Sequence, residues 1–255
     1  MLLAIDVGNT QTNIGMFRDE DLVESWRVAT DPEATADKLA TVLASLLGLR
    51  DLRLRDIDAA IVSSVVPTLG HEYELVSDRY FAGALAVVGP QLKIGMPILM
   101  DNPHEVGADR IVNAVAAYDR FATACISVDF GTTINYDVVS ADGEYLGGVI
   151  APGVEISIEA LSQRAARLFK IDLEAPRAAI GKNTQAALQA GVIYGFAGQV
   201  DAIVTRLRAE LGEEATAIAT GGLAEPIVPF CDQIDEVDGC LTLTGLRLIW
   251  ERNQV

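Results

Sequence analysis

Apolar or β-rich runs are separated by polar turns along the first 30 residues, and this pattern predicts three short strands. The apolar run 2–5 is followed by a polar turn, the β-rich run 13–17, the charged turn 18–21 and a third strand-like run. The same order recurs 123 positions later, where the apolar run 125–128 leads into a second β-rich run at 136–139. A repeated unit of three strands and two turns indicates an internal duplication, so we expect two similar halves.

Beyond these two units, apolar residues recur at helical spacing, with short β-branched runs between the predicted helices. Asp31-Pro32 is typical of a helix start, with Asp as the N-cap and Pro at the first helical position, and Gly48 is a plausible end. The other predicted helices cover 69–80, 105–118, 154–168, 181–211 and 241–252, and the other predicted strands cover 57–66, 84–89 and 215–219. Strands that alternate with helices predict an α/β fold.

The amino-acid composition argues against several classes of protein. The 255 residues carry a formal net charge of -17, from 36 acidic and 19 basic residues, whereas a general nucleic-acid binder exposes a basic surface. An anionic substrate stays possible, because backbone amides and a metal ion supply local positive potential. Three cysteines without CxxC spacing favour neither a disulfide framework nor a zinc site, and they fit a reducing cytoplasm. No apolar stretch reaches about 18 residues, so we expect no membrane span.

The turn after the first strand of each unit carries the strongest chemical signal. The turn 6–10 (Asp-Val-Gly-Asn-Thr) and its counterpart 129–132 (Asp-Phe-Gly-Thr) each combine a carboxylate, a glycine and a hydroxyl side chain. Glycine lets the backbone approach a bulky anion, and successive N–H groups in such a turn form an anion-binding concavity. The carboxylate cannot face phosphate directly, so we interpret it as a ligand of Mg²⁺ or of its water. The alternative is an ordinary hairpin turn, since Asn and Gly are turn residues.

Two further segments are candidates for chemistry. The segment 107–110 (Gly-Ala-Asp-Arg) opens a predicted helix, where Asp109 can take a proton from a substrate hydroxyl and Arg110 can hold a carboxylate in bidentate fashion. The alternative is a solvated first-turn aspartate beside a surface arginine, because a helix N-terminus stabilises an anion in any case. The segment 220–222 (Thr-Gly-Gly) follows a predicted strand and is interpreted as a backbone platform for a flat ligand.

Two superficial matches are rejected. Asp-Phe-Gly at 129–131 also occurs in protein kinases, but neither a His-Arg-Asp loop before it nor a Val-Ala-Ile-Lys strand accompanies it here. Gly-Lys-Asn-Thr at 181–184 resembles the tail of a P-loop, but Pro176 stands where the first glycine of that motif is required.

Together these segments resemble a known superfamily. Two Asp-Gly-Thr turns and a Thr-Gly-Gly segment are similar to the phosphate and adenosine motifs of the acetate/sugar kinase, chaperone ATPase and actin superfamily. More narrowly, the chain resembles the type III pantothenate kinase family over residues 1–253. The matching segments are Asp-Val-Gly-Asn-Thr at 6–10, Asp-Asn-Pro at 101–103, Glu-Val-Gly-Ala-Asp-Arg-Ile-Val-Asn at 105–113, Asp-Phe-Gly-Thr at 129–132, Gly-Gly-Val-Ile-Ala-Pro-Gly at 147–153, Gly-Lys-Asn-Thr at 181–184, Thr-Gly-Gly at 220–222 and Leu-Thr-Gly-Leu-Arg at 243–247.

The resemblance implies an α/β fold of two duplicated ribonuclease H-like domains, residues 1–119 and 120–255, with the active site in the cleft between them. It implies ATP-dependent phosphorylation of pantothenate to 4′-phosphopantothenate, the first step of coenzyme A biosynthesis. It further implies a cytoplasmic homodimer that takes pantothenate and ATP and binds neither nucleic acid nor a membrane. The implied cofactors are ATP, Mg²⁺ and a monovalent cation, K⁺ or NH₄⁺.

The resemblance also implies roles for individual residues. Asp109 is the expected proton acceptor, and Arg110 is expected to hold the pantothenate carboxylate. The residues expected to bind the nucleotide are Asp6, Val7, Gly8, Asn9, Thr10, Gln11, Thr12, Asn13, Thr132, Gly221 and Gly222. The residues expected to bind pantothenate are Met100, Gly107, Ala108, Asp109, Arg110 and Thr184. The expected cation ligands are Asp6 for Mg²⁺ and Asp129 for the monovalent cation.

The chain departs from the family pattern at three places. Met100 stands where the family usually has Tyr, Gln11 stands where Asn is common, and Thr-Ile-Asn at 133–135 stands where Ala-Thr-Thr is common. Two alternatives therefore stay open. One is a catalytically weakened relative that binds a nucleotide or metabolite and acts as a regulator. The other is a phosphotransferase of the same fold with another acceptor, since a fold does not determine a function.

Overall fold

The computed structural model describes residues 1–164 and 171–254, and the chain divides into two compact units. The first unit comprises residues 1–95, 102–116 and 242–255, and the second comprises 96–101 and 117–241. The domain ranges 1–119 and 120–255 stay a prediction, because compactness alone does not define a functional domain.

Ten strands form two five-stranded sheets, one in each unit. The strands are β1 Leu2–Val7, β2 Gln11–Arg18, β3 Asp21–Ala29, β4 Ala59–Ser64, β5 Ala84–Val87, β6 Cys125–Phe130, β7 Thr133–Val139, β8 Tyr145–Pro152, β9 Thr216–Thr220 and β10 Glu236–Val237. The first sheet has the order β3-β2-β1-β4-β5, and the second has the order β8-β7-β6-β9-β10. In each sheet the first three strands are antiparallel and the last two are parallel to the central strand. The predicted internal duplication is therefore confirmed.

Seven α-helices flank the strands along the described part of the chain. They are α1 Ala36–Gly48, α2 Pro67–Tyr80, α3 Ala108–Phe121, α4 Val154–Arg164, α5 Thr184–Leu211, α6 Ala224–Ile227 and α7 Leu241–Arg252. Short 3₁₀ turns lie at 54–56, 103–105 and 228–230. The positions of α2, α3, α4, α5 and α7 agree with the sequence-based prediction, and the predicted extension of α4 to residue 168 lies outside the described residues.

Two details of the prediction were wrong. Asp31 does not cap α1, because its side chain accepts the Glu33 N–H at 3.1 Å and its carbonyl accepts the Ala34 N–H at 3.1 Å, which closes a separate turn. The helix begins at Ala36, whose N–H donates to Glu72 of α2 at 2.6 Å. The edge strand β10 was missed, because two paired residues are too short to produce a hydrophobic period.

Strand alternation decides where the polar side chains of each unit lie. Leu3, Ile5 and Val7 of β1 point into the core of the first unit with side chains of α1 and α2. The intervening residue, Asp6, therefore lies on the opposite face at the carboxyl end of the strand. Val128 and Phe130 of β6 point into the core of the second unit in the same way. Asp129 therefore lies on the opposite face, at the carboxyl end of β6.

Helix α7 packs within the first unit against β2 and α3. A Cβ on Gly15 of β2 would lie 2.9 Å from a methyl group of Leu243, and a Cβ on Gly245 would overlap the carbonyl oxygen of Val112. Thr242 also donates a hydrogen bond to Asn113 of α3, with 2.7 Å between the oxygens. These close contacts hold the helix that carries the segment 107–110.

Helix α5 is, among the described residues, the one helix long and apolar enough to cross a membrane by length and composition alone. Its N-terminus is capped by Asn183, which accepts the Ala186 N–H at 2.8 Å, and its C-terminus ends at Gly212 in the left-handed conformation. One face of α5, including Ile193, belongs to the core of the second unit. Burial of that face accounts for part of its apolar composition.

Candidate active site

The first candidate phosphate turn connects β1 to β2. The Gly8 N–H donates to the Gln11 carbonyl at 3.0 Å, and a Cβ on Gly8 would lie 2.9 Å from the same oxygen. A side chain at position 8 would therefore open the turn. Asn9, Thr10 and Gln11 are exposed at its tip, as an anion-binding turn requires.

Asp6 follows directly on the buried part of β1 and is itself only half-buried. Strand register places Asn13 of β2 and Ser63 of β4 opposite Asp6, one on each side. Ser63 is fully buried, and its Oγ has no hydrogen-bond partner among the residues that the structure describes. The carboxylate thus has an amide and a hydroxyl beside it on the same sheet face. Such oxygen-rich groups are suited to a hydrated Mg²⁺.

The second candidate turn connects β6 to β7 and is packed more tightly. The Gly131 N–H donates to the Thr133 carbonyl at 3.0 Å, and Thr132 is exposed. A Cβ on Gly153 would overlap the carbonyl oxygen of Thr132. The glycine at 153 was not singled out as a site residue from the sequence, although the Pro-Gly pair at 152–153 marks a turn.

Gly221 closes the other side of the second turn. Its φ is +94°, and a Cβ there would lie 2.5 Å from Oδ1 of Asp129 and 2.7 Å from the backbone of Phe130. Glycine at 221 is therefore required both by the backbone conformation and by the position of the Asp129 carboxylate. The sequence-based prediction placed Gly221 in the nucleotide site, and the structure brings it against Asp129 within the second unit.

The surroundings of Asp129 repeat those of Asp6. Asn135 of β7 lies opposite Asp129 on one side, and Thr220 of β9 lies opposite it on the other. The Thr133 hydroxyl donates to Oδ1 of Asn135 at 3.1 Å. An aspartate flanked by an asparagine and a hydroxyl residue thus occurs once in each sheet. In the sequence Asn135 stands out only as a departure from the family pattern, so this group was not predicted.

The segment 107–110 forms the start of α3. The Asp109 carboxylate folds back over Gly107, with Oδ1 2.5 Å from where a Cβ on Gly107 would lie. Burial raises the pKa of Asp109 above its ordinary value, and the backbone N–H and positive charge of Arg110 counteract part of that increase. A carboxylate with a raised pKa accepts a proton more readily, which suits a general base. The Ile111 N–H donates to the Gly107 carbonyl at 3.2 Å and closes the first turn.

The remaining candidate residues lie in the second unit. The sulfur of Met100 lies 3.0 Å from where a Cβ on Gly147 of β8 would be, so Met100 packs on the backbone of that strand. Hydrogen bonds of 2.8 Å between the neighbouring segment 97–99 and the backbone of Tyr145 hold it in place. Thr184 is exposed at the first position of α5.

The candidate cation sites each offer a single carboxylate. No group of three or more His, Cys, Asp or Glu side chains arranged for a metal ion occurs within residues 1–164 and 171–254. Mg²⁺ in nucleotide enzymes is usually bound through one or two carboxylates together with substrate phosphates and water. Asp6 and Asp129, each at the end of a central strand, fit that type of site.

Comparison with known proteins identifies the family of the chain. A family model described as type III pantothenate kinase matches residues 2–206. A protein of Streptomyces avermitilis named type III pantothenate kinase is 55% identical over 261 residues, covering 99% of this chain and 98% of the relative.

Solved structures with low sequence identity share the fold. A Campylobacter jejuni protein described as a Baf family transcriptional activator has a TM-score of 0.60 at 18% identity, with 98% of both chains covered. A ROK hexokinase of Thermus thermophilus has a TM-score of 0.55 at 13% identity, with 97% of both chains covered. At these identities the likeness concerns the fold alone. Together with the two five-stranded sheets, it bears out the expected duplicated fold of actin-like ATPases and sugar kinases.

Proposed function

The chain belongs to the type III pantothenate kinase family, and we propose that the residues described above carry out the ATP-dependent phosphorylation of pantothenate. The product is 4′-phosphopantothenate, the first intermediate on the way to coenzyme A. The observation that carries the proposal is the relative's 55% identity over nearly the whole chain. The repeated aspartate–glycine turns are consistent with it, because phosphoryl transfer needs mainly positioning and charge neutralisation.

The turn 6–13 is assigned to the ATP phosphates. Its exposed tip, 9–11, offers backbone amides together with Asn and Thr side chains, and the tight contact at Gly8 keeps the turn narrow. Asp6 is assigned to Mg²⁺, with Ser63 and Asn13 beside it to hold coordinated water. When bound, Mg²⁺ supplies positive charge for the triphosphate.

The second turn is assigned to the same nucleotide and to a monovalent cation. Thr132 is exposed for contact with ATP, and Asp129 is assigned to K⁺ or NH₄⁺. Gly221 and Gly222 are assigned to the adenosine, because the left-handed conformation at 221 leaves a side-chain-free surface beside Asp129. A monovalent cation there reduces repulsion between this carboxylate and an anionic ligand.

The acceptor site is assigned to the start of α3 and to the second unit. Asp109 takes the proton of the pantothenate hydroxyl, and its raised pKa supports that role. Arg110 holds the pantothenate carboxylate through paired hydrogen bonds, with the backbone of Gly107 and Ala108 lining the site. Met100 contributes apolar contact, and the exposed Thr184 contributes a hydroxyl.

A homodimer is part of the proposal. The second unit exposes large apolar side chains on neighbouring segments, with Ile156 and Leu161 of α4 at 42% and 40% and Tyr194 of α5 at 38%. Exposed apolar groups of this kind are typical of protein interfaces. Ile156→Asp should weaken the dimer, whereas Leu49→Asp, at an exposed leucine of the first unit, should not. Light scattering that gives wild type a mass of 27.2 kDa at micromolar concentration would contradict the dimer.

A direct assay tests the function. Purified protein with ATP, Mg²⁺, K⁺ and labelled pantothenate should form labelled phosphopantothenate, and Asp109→Asn should remove that activity. Pantothenol, which lacks the carboxylate, should be a poorer acceptor because Arg110 loses its partner. A cytoplasmic location, which the cysteine content favours, is part of the same proposal. Absence of product from wild type under these conditions would favour a regulatory protein, and turnover of a different alcohol alone would favour another phosphotransferase.

A further inference from the structure

Thr30, the residue directly after β3, makes two contacts with the turn that follows β1 and a third with β2. Its backbone N–H donates to the Thr10 carbonyl at 2.9 Å, and its hydroxyl donates to the Gly8 carbonyl at 2.8 Å. The same hydroxyl oxygen lies 2.9 Å from the hydroxyl oxygen of Thr12. All four residues belong to the first unit.

The directions of these hydrogen bonds follow from the number of protons. A hydroxyl has one proton to donate, and that of Thr30 goes to the Gly8 carbonyl. Thr12 must therefore donate its own proton to Thr30. Thr12 is only 3% exposed, so its hydroxyl is committed inside the protein and supports the turn.

The contacts at Thr30 orient the peptide groups of the turn. In a trans peptide the carbonyl and the following N–H point to opposite sides of the bond, and the described residues contain no cis peptide. Holding the Gly8 carbonyl toward Thr30 therefore directs the N–H of Asn9 away from it. Holding the Thr10 carbonyl toward Thr30 directs the N–H of Gln11 away in the same manner.

This orientation matters because carbonyl oxygens repel phosphate and N–H groups attract it. We propose that Thr30 is a positioning residue that keeps the carbonyls of Gly8 and Thr10 turned away from the ATP phosphates, so that the amides at the tip of the turn face them. The inference rests on the proposed function, in that this turn binds ATP. Thr30 lies 22 residues from Gly8 in the chain, which is why no local motif includes it.

Thr30→Val tests the inference, because valine keeps the shape and the backbone N–H but removes the hydroxyl. We expect the dissociation constant of a non-hydrolysable ATP analogue, measured by calorimetry, to rise about tenfold through loss of the two hydroxyl contacts. The KM for ATP should rise with it, while the KM for pantothenate changes less than about twofold. Thr30→Ser restores the hydroxyl and should restore nucleotide affinity.

Thr68→Val is a matched control. Thr68 is an exposed threonine of the first unit whose hydroxyl lies 3.5 Å from the Pro32 carbonyl, so the same substitution there should leave nucleotide binding unchanged. Thermal unfolding of each variant shows whether the protein remains folded. If Thr30→Val does not fold, Thr12→Val removes the donor of the same hydrogen-bond chain and should weaken nucleotide binding less strongly.

The outcomes separate the inference from the function. Equal affinity of wild type and Thr30→Val for the ATP analogue would overturn the role of Thr30 while pantothenate kinase activity stands. Wild type that binds the analogue without phosphorylating pantothenate would overturn the proposed function. The role of Thr30 would still be decided by the affinities of wild type and Thr30→Val for the analogue. Wild type that does not bind the nucleotide would overturn both.

Discussion

Asn135 lies directly opposite Asp129 across β6 and β7, in the position that Asn13 takes opposite Asp6 across β1 and β2. Seven positions separate the first aspartate from its asparagine and six separate the second pair, because the second turn is one residue shorter. Aligning the two turns by sequence without a gap therefore does not match Asn13 with Asn135. Strand register does match them, because each lies opposite its aspartate. Asn135, a departure from the family pattern, thus restores the symmetry between the two units.

Asn135→Ala should raise the K⁺ concentration needed for half-maximal activity. Thr133 donates to Oδ1 of Asn135, so the amide NH₂ stays available as a donor, and strand register puts Asn135 opposite the Asp129 carboxylate. Loss of one such hydrogen bond costs about 0.5–1.5 kcal/mol, or roughly 2- to 13-fold in cation affinity. The K⁺ midpoint can be measured without turnover, by recording the affinity for an ATP analogue at increasing K⁺ concentrations. Asp129→Ala should abolish the K⁺ response, and an unchanged K⁺ midpoint in Asn135→Ala would contradict the prediction.

Gly221→Ala should reduce activity at least about tenfold while the protein stays folded. The added methyl group would lie 2.5 Å from Oδ1 of Asp129, so the carboxylate must move. Gly212→Ala is the matched control, because φ is +74° there and nothing lies within 4 Å of the added Cβ. Both variants should lose about 1 kcal/mol from the backbone conformation, but Gly212→Ala should keep its activity. Equal activity of the two variants, measured with saturating substrates, would show that Asp129 tolerates displacement.

Asp109→Asn should lower kcat by about 10²- to 10⁴-fold, the usual contribution of a general base. Binding of pantothenate should change little, because Arg110 and the backbone of 107–108 remain. Steady-state kinetics and calorimetry with pantothenate measure the two effects separately. Asp78→Asn, at an exposed aspartate of α2, serves as the control and should leave kcat unchanged. Retention of more than about a tenth of wild-type kcat by Asp109→Asn would exclude the role.

The pKa of Asp109 predicts two effects of pH. Burial raises this pKa above 3.8, so the acidic limb of kcat/KM should lie above the pH at which an ordinary carboxylate titrates. Because the folded-state pKa is higher, ionisation of the carboxylate lowers the stability of the fold as pH rises above the ordinary value of 3.8, and the loss is complete once pH exceeds the raised pKa. Asp109→Asn should therefore be at least as stable as wild type at pH 7 and should lose this advantage as pH falls. Denaturant unfolding at pH 4 and pH 7 measures the difference in unfolding free energy between Asp109→Asn and wild type. An Asp109→Asn variant that is less stable than wild type at pH 7 would contradict the prediction.

Met100→Tyr should lower the KM for pantothenate several-fold with little change in kcat. Methionine supplies flexible apolar contact and almost no hydrogen bonding, whereas tyrosine adds a hydroxyl. One neutral hydrogen bond is worth about 0.5–1.5 kcal/mol, which is roughly a factor of 2–13. Steady-state kinetics at saturating ATP measure it. A higher KM in the tyrosine variant would show that the contact of Met100 with Gly147 matters more than the added hydroxyl.

The sequence predicted the elements that local patterns encode. The apolar run 2–5 identified β1, and the glycine at 48 correctly marked the end of α1. The aspartates at 6 and 129 could be found because a short motif carries them. Asp31 misled the prediction, since an aspartate can close a turn as well as cap a helix, and only the tertiary contact of Ala36 with Glu72 decides between them.

The rest of the candidate site depends on contacts between distant residues. Ser63 and Asn135 reach the aspartates through strand register, which a single sequence does not specify. Thr30 reaches its turn through a hydrogen bond across 22 positions. Gly153 could have been suspected as a turn glycine, but its contact with Thr132 is visible only in the folded chain.

The packing of α7 has a consequence for synthesis. The first unit begins with β1, yet its β2 glycine at 15 and its α3 carbonyl at 112 are covered by Leu243 and Gly245, which the ribosome makes after the entire second unit. At about 5–20 residues per second, roughly seven seconds or more pass before α7 covers those surfaces. The second unit, encoded as one nearly continuous stretch, can complete its own core earlier. During a translation pause before residue 241, the surfaces of the first unit that α7 later covers would stay exposed. We would expect chaperones to bind the nascent chain there.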